Sequence, residues 1–257
     1  MLKGCLRMKV GIFDSGIGGI TVLKTAIEHL PQIEYIYYSD NLHVPYGTKP
    51  KNEVVGYVKD VVKFLVDQGA EAILIACNTA TSVAVKELRT LYNIPIIGME
   101  PAVKLALDDN KEGKVLVTAT PLSLKEEKYK NLVAHVDHQH RTSSLPLPEL
   151  VTFAETKDFD EERIEAYFKE KLEPFNLDEY VGIVLGCTHF IYFKKYLEKF
   201  LPEHIKIYDG NEGTVRHLGE CLGITQIEHS VDPKITFYYS GKKCETNEIL
   251  ESYLKLV

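Results

Sequence analysis

The sequence contains, 110 residues apart, two versions of one pattern: Ala72-Ile73-Leu74-Ile75-Ala76-Cys77-Asn78-Thr79 and Gly182-Ile183-Val184-Leu185-Gly186-Cys187-Thr188-His189. Each version is an apolar run, rich in β-branched residues, that ends at a cysteine and then turns polar. An amphipathic helical pattern follows each one, over residues 80–91 and residues 190–200. This order predicts a buried parallel strand that leads into a helix.

The cysteines of this pattern occupy the positions at which α/β proteins bind ligands. In open α/β sheets, ligands bind at the carboxyl ends of the strands, so Cys77 and Cys187 are both expected to line a ligand site. Each thiol also lies near the start of a predicted helix. Because a helix N-terminus is positively polarised, we expect it to lower the pKa of both thiols and to favour the thiolate.

Predicted strands and helices alternate along the whole chain, which indicates an α/β protein with mostly parallel sheets flanked by helices. The duplicated pattern predicts two similar lobes that face each other, with the active site in the cleft between them. Residues 1–98 and 210–257 form the first predicted lobe, which carries the first cysteine. Residues 99–209 form the second predicted lobe, which carries the second.

Composition excludes several classes of protein. The chain has 257 residues, of which 45% are hydrophobic and 26% charged, as is ordinary for a globular enzyme. Its net charge of −7 argues against a nucleic-acid partner, because phosphate binding needs a basic surface. No apolar run approaches the roughly 20 residues that span a bilayer, and the N-terminus lacks a secretory layout. We therefore expect a cytoplasmic protein without a membrane partner.

Cysteine and histidine usage gives no sign of a metal site. The five cysteines are an odd number without CxxC spacing, which favours free thiols over a disulfide framework or a metal centre. The histidines of residues 135–140 alternate with other residues, a pattern that favours a strand with one solvent face. Their spacing matches no zinc-ligand pattern.

Two loops are expected at the same edge of the sheet as the cysteines. Asp14-Ser15-Gly16-Ile17-Gly18-Gly19 follows a predicted strand, but its glycine spacing matches neither a dinucleotide fingerprint nor a P-loop. It is better explained as a tight loop that presents backbone N–H groups with the Asp14 and Ser15 side chains. Residues 41–50 follow the second predicted strand and can reach the same edge.

Two thiols on opposite lobes suit inversion at a carbon atom. One thiolate removes a proton while the other thiol delivers one to the opposite face, and a reference pKa of about 8.5 keeps both forms accessible. A disulfide, or a single nucleophilic cysteine with a histidine base, are the alternative uses. Neither residues 72–85 nor residues 181–193 contain lysine or arginine, so an anionic substrate would be held by hydroxyls, amides and helix N-termini. No lysine has a setting that indicates pyridoxal phosphate.

Four motifs together resemble those of the glutamate racemase family, in the same order. They are Asp14-Ser15-Gly16-Ile17-Gly18-Gly19, Pro45-Tyr46-Gly47, Ala76-Cys77-Asn78-Thr79-Ala80 and Gly186-Cys187-Thr188-His189. The resemblance covers about residues 9–222. It implies a cofactor-independent enzyme of two α/β lobes that interconverts L- and D-glutamate, supplies D-glutamate for bacterial peptidoglycan, and forms a homodimer.

The resemblance also implies residue roles. Cys77 would act on D-glutamate with help from Asp14, and Cys187 on L-glutamate with help from His189. The positions that match substrate contacts are Asp14, Ser15, Tyr46, Gly47, Asn78, Thr79, Thr120, Thr188 and His189. Three further matches are weaker, namely Pro45, Ser123 and Glu155. Ser123 stands where the family more often has threonine, and Glu155 lies in a stretch where Thr152 replaces the family's usual proline.

Several alternatives stay open at this stage. Asp14 could only cap a helix, His189 could make only a structural hydrogen bond, and Tyr46 could be a packing aromatic. A racemase of the same superfamily could instead act on aspartate or a related acid. A non-catalytic amino-acid-binding relative is the alternative from another class, and a nucleotide-binding enzyme is disfavoured by the glycine spacing.

Overall fold

Strands and helices alternate along the parts of the chain that the computed structural model describes, residues 7–226, 232–246 and 248–256. The strands are β1 (Lys9–Asp14), β2 (Glu34–Ser39), β3 (Ala72–Ile75), β4 (Ile96–Gly98), β5 (Lys114–Ala119), β6 (Thr142–Pro146), β7 (Tyr180–Leu185), β8 (Lys206–Asp209), β9 (Lys234–Tyr239) and β10 (Lys242–Lys243). The helices are α1 (Ile20–His29), α2 (Lys51–Asp67), α3 (Asn78–Leu91), α4 (Val103–Asp109), α5 (Pro121–Lys125), α6 (Glu127–Val136), α7 (Glu149–Glu155), α8 (Glu161–Leu172), α9 (Lys194–Phe200), α10 (Asn211–Cys221) and α11 (Glu248–Leu254). Short 3-10 helices lie at Tyr46–Thr48, Leu177–Glu179 and Thr188–Phe193.

The described strands form two separate sheets. The first has six strands in the order β10-β9-β2-β1-β3-β4, all parallel except the edge strand β10. The second has four parallel strands in the order β6-β5-β7-β8. We call the parts of the chain built around them the first lobe and the second lobe. The predicted α/β class with mostly parallel sheets in two lobes is confirmed, and the residue boundaries given above remain our proposal.

The two strands that lead to the cysteines form because their residues are apolar on both faces. All four residues of β3 are buried, as are Ile183, Val184 and Leu185 at the end of β7. The helix α3 that follows β3 places Ala80, Ala84 and Leu88 on its buried face, at helical spacing. The chain after β7 first turns through a 3-10 helix and only then continues as α9.

The expected strand at residues 135–140 is wrong. Helix α6 continues to Val136, and β6 begins only at Thr142. Asp137 ends the helix and forms the turn between them, because its carboxylate accepts hydrogen bonds from the backbone N–H groups of Arg141 and Thr142. Among the described residues, no group of three or more potential ligands could hold a metal ion. None of the helices in the same ranges has the length and apolarity of a bilayer span.

The strand before Cys77 should be sensitive to loss of volume. Leu74 is fully buried in β3, so we expect Leu74→Ala to lower the free energy of unfolding by about 2–5 kcal/mol through lost burial and a residual cavity. Leu91→Ala is the matched control, because Leu91 is 58% exposed at the end of α3 and should change stability by less than about 0.5 kcal/mol. Urea unfolding followed by circular dichroism measures both. Equal losses for the two variants would contradict this description of the core.

Candidate active site

Three strand ends from the two sheets meet at one buried place. Asp14 ends β1, Cys77 follows β3 by two residues, and Cys187 follows β7 by two residues. The lobes are in direct contact there, because the Thr188 hydroxyl donates a hydrogen bond to Asp14 Oδ2 over 3.0 Å. Both cysteines are free thiols and are almost fully buried, with exposed fractions of 6% and 7%. Cys221 and Cys244 are free thiols too, and Cys5 lies outside the described residues.

Cys77 is the residue that caps helix α3. Its Sγ accepts a hydrogen bond from the Ala80 N–H at 3.4 Å and donates one to Ser15 Oγ at 3.6 Å. Burial and the neighbouring Asp14 carboxylate nevertheless raise the pKa of the Cys77 thiol to about 12. The expectation that the helix N-terminus lowers this pKa is therefore wrong for Cys77, since desolvation of the thiolate outweighs the helix.

Asp14 is a carboxyl group with no exposure to solvent. Its Oδ1 accepts hydrogen bonds from the Gly16 N–H at 3.0 Å and the Ser15 hydroxyl at 3.4 Å, in addition to the bond from Thr188. Burial raises the pKa of Asp14 to about 6, although the charge of His189 and the hydrogen bonds oppose the rise. Asp14 can therefore exchange a proton near neutral pH.

On the other side of the site, Cys187, His189 and Glu155 form a chain of contacts. Cys187 Sγ lies 3.8 Å from His189 Nδ1, and His189 Nε2 lies 2.7 Å from Glu155 Oε1. Burial would lower the pKa of His189, but the hydrogen bonds to Cys187 and Glu155 raise it well above its usual value. The imidazolium form is thus favoured next to the second thiol.

Glycine permits the close approach of the lobes at the loop after β1. A Cβ atom at Gly16 would collide with the Glu155 carboxylate, and one at Gly18 would collide with the His189 ring and the Thr188 hydroxyl. Side chains of the second lobe thus press directly on the backbone of this loop. The loop functions here as a contact surface for them, and its glycine spacing needs no nucleotide phosphate to explain it.

Three hydroxyl groups form a cluster that also crosses between the lobes. Thr79 Oγ1 lies 2.9 Å from Thr120 Oγ1 and 3.1 Å from Ser123 Oγ, and the latter two lie 2.9 Å apart. Gly47 comes so close to Thr120 that a Cβ atom would collide with it. Each hydroxyl can both donate and accept, so the cluster can hold a carboxylate without a cationic side chain.

The remaining predicted substrate contacts have different surroundings. Pro45 precedes the 3-10 helix in which Tyr46 is buried, and the Tyr46 hydroxyl donates to Asp40 Oδ2 over 2.6 Å. Asn78 is the first residue of α3, directly after Cys77. Its Oδ1 is buried and has no hydrogen-bond partner among the described residues. A buried acceptor without a partner is costly, which makes this atom a candidate contact for a ligand donor.

Sequence reasoning missed four residues around the site. Asp40 and Asn41 directly follow β2, and Asn41 Nδ2 donates to Glu155 Oε2 over 2.8 Å. The hydroxyls of Tyr37 and Tyr192 donate to the carbonyl oxygens of Gly16 and Ile17, which fixes the glycine loop. The rule that strand ends share one edge places residues 41–50 near the site, but it does not single out Asp40 or Asn41. No pattern in the sequence indicates that Tyr192 lies beside the glycine loop.

The structure thus defines a two-lobed α/β protein that encloses two buried thiols, one beside the Asp14 carboxyl group and the other beside His189. A sequence profile of the Asp/Glu/Hydantoin racemase family matches residues 21–218. The chain belongs to that family.

Individual relatives agree with this membership. The chain is 52% identical over 252 residues to the glutamate racemase of Halothermothrix orenii, covering 97% of this chain and 99% of the relative. Its fold is similar to that of a glutamate racemase isoform from Bacillus anthracis, with a TM-score of 0.86, 30% identity and coverage of 96% and 94%. It is also similar to the Francisella tularensis glutamate racemase in complex with D-glutamate, with a TM-score of 0.81, 29% identity and coverage of 97% and 94%.

The raised pKa of Asp14 should make the free energy of unfolding depend on pH. Because the pKa rises from 3.8 to about 6 on folding, the carboxyl favours the folded state fully below pH 3.8, and this contribution is lost as the pH rises through about 6. Asp14→Asn lacks this titration. The free energy of unfolding of the wild-type protein minus that of the variant should therefore fall by roughly 3 kcal/mol between about pH 4 and about pH 7.

Urea unfolding at a series of pH values measures this difference. Asp178→Asn is the control, because Asp178 is an exposed carboxyl outside the site. A difference for Asp14→Asn that stays flat over this pH range, or that rises, would show that burial does not raise its pKa.

Proposed function

We propose that this protein interconverts L- and D-glutamate, with Cys77 and Cys187 as the acid and base on opposite faces of the substrate carbon. One observation carries the proposal: two buried thiols reach one place from different lobes, and each has its own proton-exchanging partner. The names of the relatives support glutamate as the substrate.

The proposed reaction transfers two protons. In the L-to-D direction, the Cys187 thiolate removes the α-proton of L-glutamate, and the Cys77 thiol gives its proton to the opposite face of the same carbon. The reverse direction begins with a Cys77 thiolate and a Cys187 thiol. Each turnover leaves the two thiols in exchanged protonation states, so a proton must return before the next turnover in the same direction.

The surroundings of the thiols suit this cycle. The raised pKa of Cys77 keeps its proton in place until a carbanion forms, which is the state that the L-to-D direction needs. Asp14 exchanges protons near neutral pH and can later relay one to or from Cys77. On the other side, the positively charged form of His189 lies beside Cys187 and can supply a proton when the Cys187 thiolate must be neutralised.

Neutral polar groups of the site would bind the substrate. The hydroxyls of Thr79, Thr120 and Ser123 provide donors for one carboxylate. The unpaired Oδ1 of Asn78 provides an acceptor for the ammonium group. Because neutral donors bind a carboxylate less strongly than an arginine does, they fix its position while leaving the product free to leave.

Access to the site requires movement of the lobes. Both thiols and the groups beside them are nearly inaccessible to water, and bonds such as Thr188 to Asp14 run directly between the lobes. We propose that substrate enters when the lobes separate and that closure then excludes water from the reacting carbon.

The wider proposal includes the biological setting. The enzyme would need no cofactor, would act in the cytoplasm as a homodimer, and would supply D-glutamate for peptidoglycan. A racemase for aspartate or a related acid is the near alternative, and a non-catalytic amino-acid-binding relative is the distant one. Turnover of aspartate without turnover of glutamate supports the first, and binding without turnover supports the second.

Removing either thiol tests the two-sided role. Cys77→Ala and Cys187→Ala should each lower kcat for glutamate racemisation by at least about 10²- to 10⁴-fold, the contribution of one general acid or base. Cys221→Ala is the matched control, since Cys221 is an exposed thiol at the end of α10, and it should keep wild-type activity. Circular dichroism of L- and D-glutamate solutions without added cofactor gives both rates. Wild-type rates for either site variant would rule the two-base role out.

A further inference from the structure

Glu155 is held by both lobes, although it belongs to the second. It ends helix α7, and its Oε1 lies 2.7 Å from His189 Nε2 within the same lobe. The same oxygen accepts a hydrogen bond from the Ile17 N–H of the first lobe at 2.8 Å. Its other oxygen, Oε2, accepts one from Asn41 Nδ2, also of the first lobe, at 2.8 Å. The carboxylate is thus oriented toward His189 by two donors from across the cleft.

The orientation of Asn41 is itself fixed. The Ser39 hydroxyl, at the end of β2 and fully buried, donates to Asn41 Oδ1 over 2.5 Å. This bond leaves the amide NH₂ group as the part of Asn41 that faces Glu155, so a donor always meets the carboxylate. A carboxylate accepts hydrogen bonds and cannot donate them, so position 41 must present a donor, and an amide can do this while its oxygen accepts from Ser39.

We infer that Asn41 is a positioning residue that acts through Glu155 and His189 on the Cys187 side of the site. When the lobes close, Asn41 and Ile17 fix the Glu155 carboxylate against the imidazole, and the charge of His189 beside Cys187 is set at that moment. When the lobes separate, both cross-cleft bonds are lost and the carboxylate can turn toward water. Closure and activation of one thiol are thereby coupled.

This role rests on the proposed racemase function, and it adds a residue that none of the motifs contains. It also makes the two sides of the site unequal. Asn41 contacts the chain that leads to Cys187, whereas Cys77 has its own contacts with Ser15 and Ala80. Loss of Asn41 should therefore slow proton transfer at Cys187 and leave proton transfer at Cys77 intact.

The variant Asn41→Leu removes the donor while keeping the number and branching of the side-chain heavy atoms. We expect kcat/KM to fall by roughly 10- to 100-fold, as for the loss of one hydrogen bond to a charged group. Because the equilibrium constant of a racemisation is one, kcat/KM must fall by the same factor in both directions. The primary deuterium isotope effect is therefore the measurement that distinguishes the Cys187 side from the Cys77 side. The effect for α-deuterated L-glutamate should rise, because its C–H bond is broken by Cys187. The effect for α-deuterated D-glutamate should fall, because its C–H bond is broken by Cys77.

Two further variants separate positioning from general damage. Asn110→Leu is the matched control: Asn110 is a partly buried asparagine that donates to Ala106 O and Tyr208 OH outside the site, and its loss should leave both isotope effects unchanged.

In a Glu155→Gln background, Asn41→Leu should lower kcat/KM by less than about 2-fold further, because the effects of residues that act through one another are not additive. Isotope effects that stay at their wild-type values in Asn41→Leu, or full additivity with Glu155→Gln, would overturn the inference.

A measurement without turnover keeps this test separate from the proposed function. Nitrogen NMR of ¹⁵N-histidine protein, with His189 assigned through a His189→Gln variant, should show a lower pKa for His189 in Asn41→Leu than in the wild type. The other ionisable side chains that interact with His189 or Glu155 stay unchanged in this variant, and these are Asp14, Cys187, Tyr37, Tyr192, Tyr239 and Tyr253. An unchanged His189 pKa would contradict the coupling even if the enzyme racemises glutamate. A lowered pKa in a protein without racemase activity would instead support the coupling and contradict the proposed function.

Discussion

A buried carboxylate at the meeting point of the lobes is the constraint on which the site depends. Asp14 has no exposure to solvent, and the cost of burying it is offset by donors from both lobes, Gly16 in its own and Thr188 in the other. The bond from Thr188 reaches Asp14 because the two lobes are in contact at this point. The same burial that needs these donors raises the pKa of Asp14 to about 6 and, with the charge of Asp14, that of Cys77 to about 12. The packing of the two lobes against each other therefore affects the protonation states of Asp14 and Cys77 as well as the geometry.

The two thiols have neighbours of opposite charge. Burial and the Asp14 carboxylate keep Cys77 a thiol, although the hydrogen bonds with Ala80 and Ser15 oppose this by lowering its pKa. Cys187 faces His189, which the Glu155 carboxylate favours as a cation. The proposed inversion at carbon needs one proton donor and one acceptor at a time, and unequal surroundings can provide both from two identical side chains. The lobes resemble each other as strand and helix patterns, but their site residues do not.

Much of the fold could be predicted from the sequence because the relevant patterns are local. Apolar runs predict the strands β3 and β7, and turn residues predict the loop after β1. The rule that strand ends share one edge then brings this loop and the two cysteines together. Contacts between the lobes could not be predicted, since Asn41 and Glu155 are 114 residues apart and meet only through the closed fold. The pKa of Cys77 was predicted wrongly because desolvation of this thiol depends on how the two lobes pack around it. Residues 135–140 were misassigned because α6 and the Asp137 turn override a short alternation.

The opposed roles of Cys77 and Cys187 are tested most directly by following the α-proton in D₂O. L-glutamate is incubated with the wild-type enzyme, and both enantiomers are recovered at early conversion and examined by NMR. Delivery of a solvent-derived proton by a second group predicts that the D-glutamate formed carries deuterium at Cα while the remaining L-glutamate keeps its original hydrogen. Deuterium that enters the remaining L-glutamate as fast as the product, or product that retains the substrate's hydrogen, would show that one group handles both faces and would contradict the two-thiol arrangement.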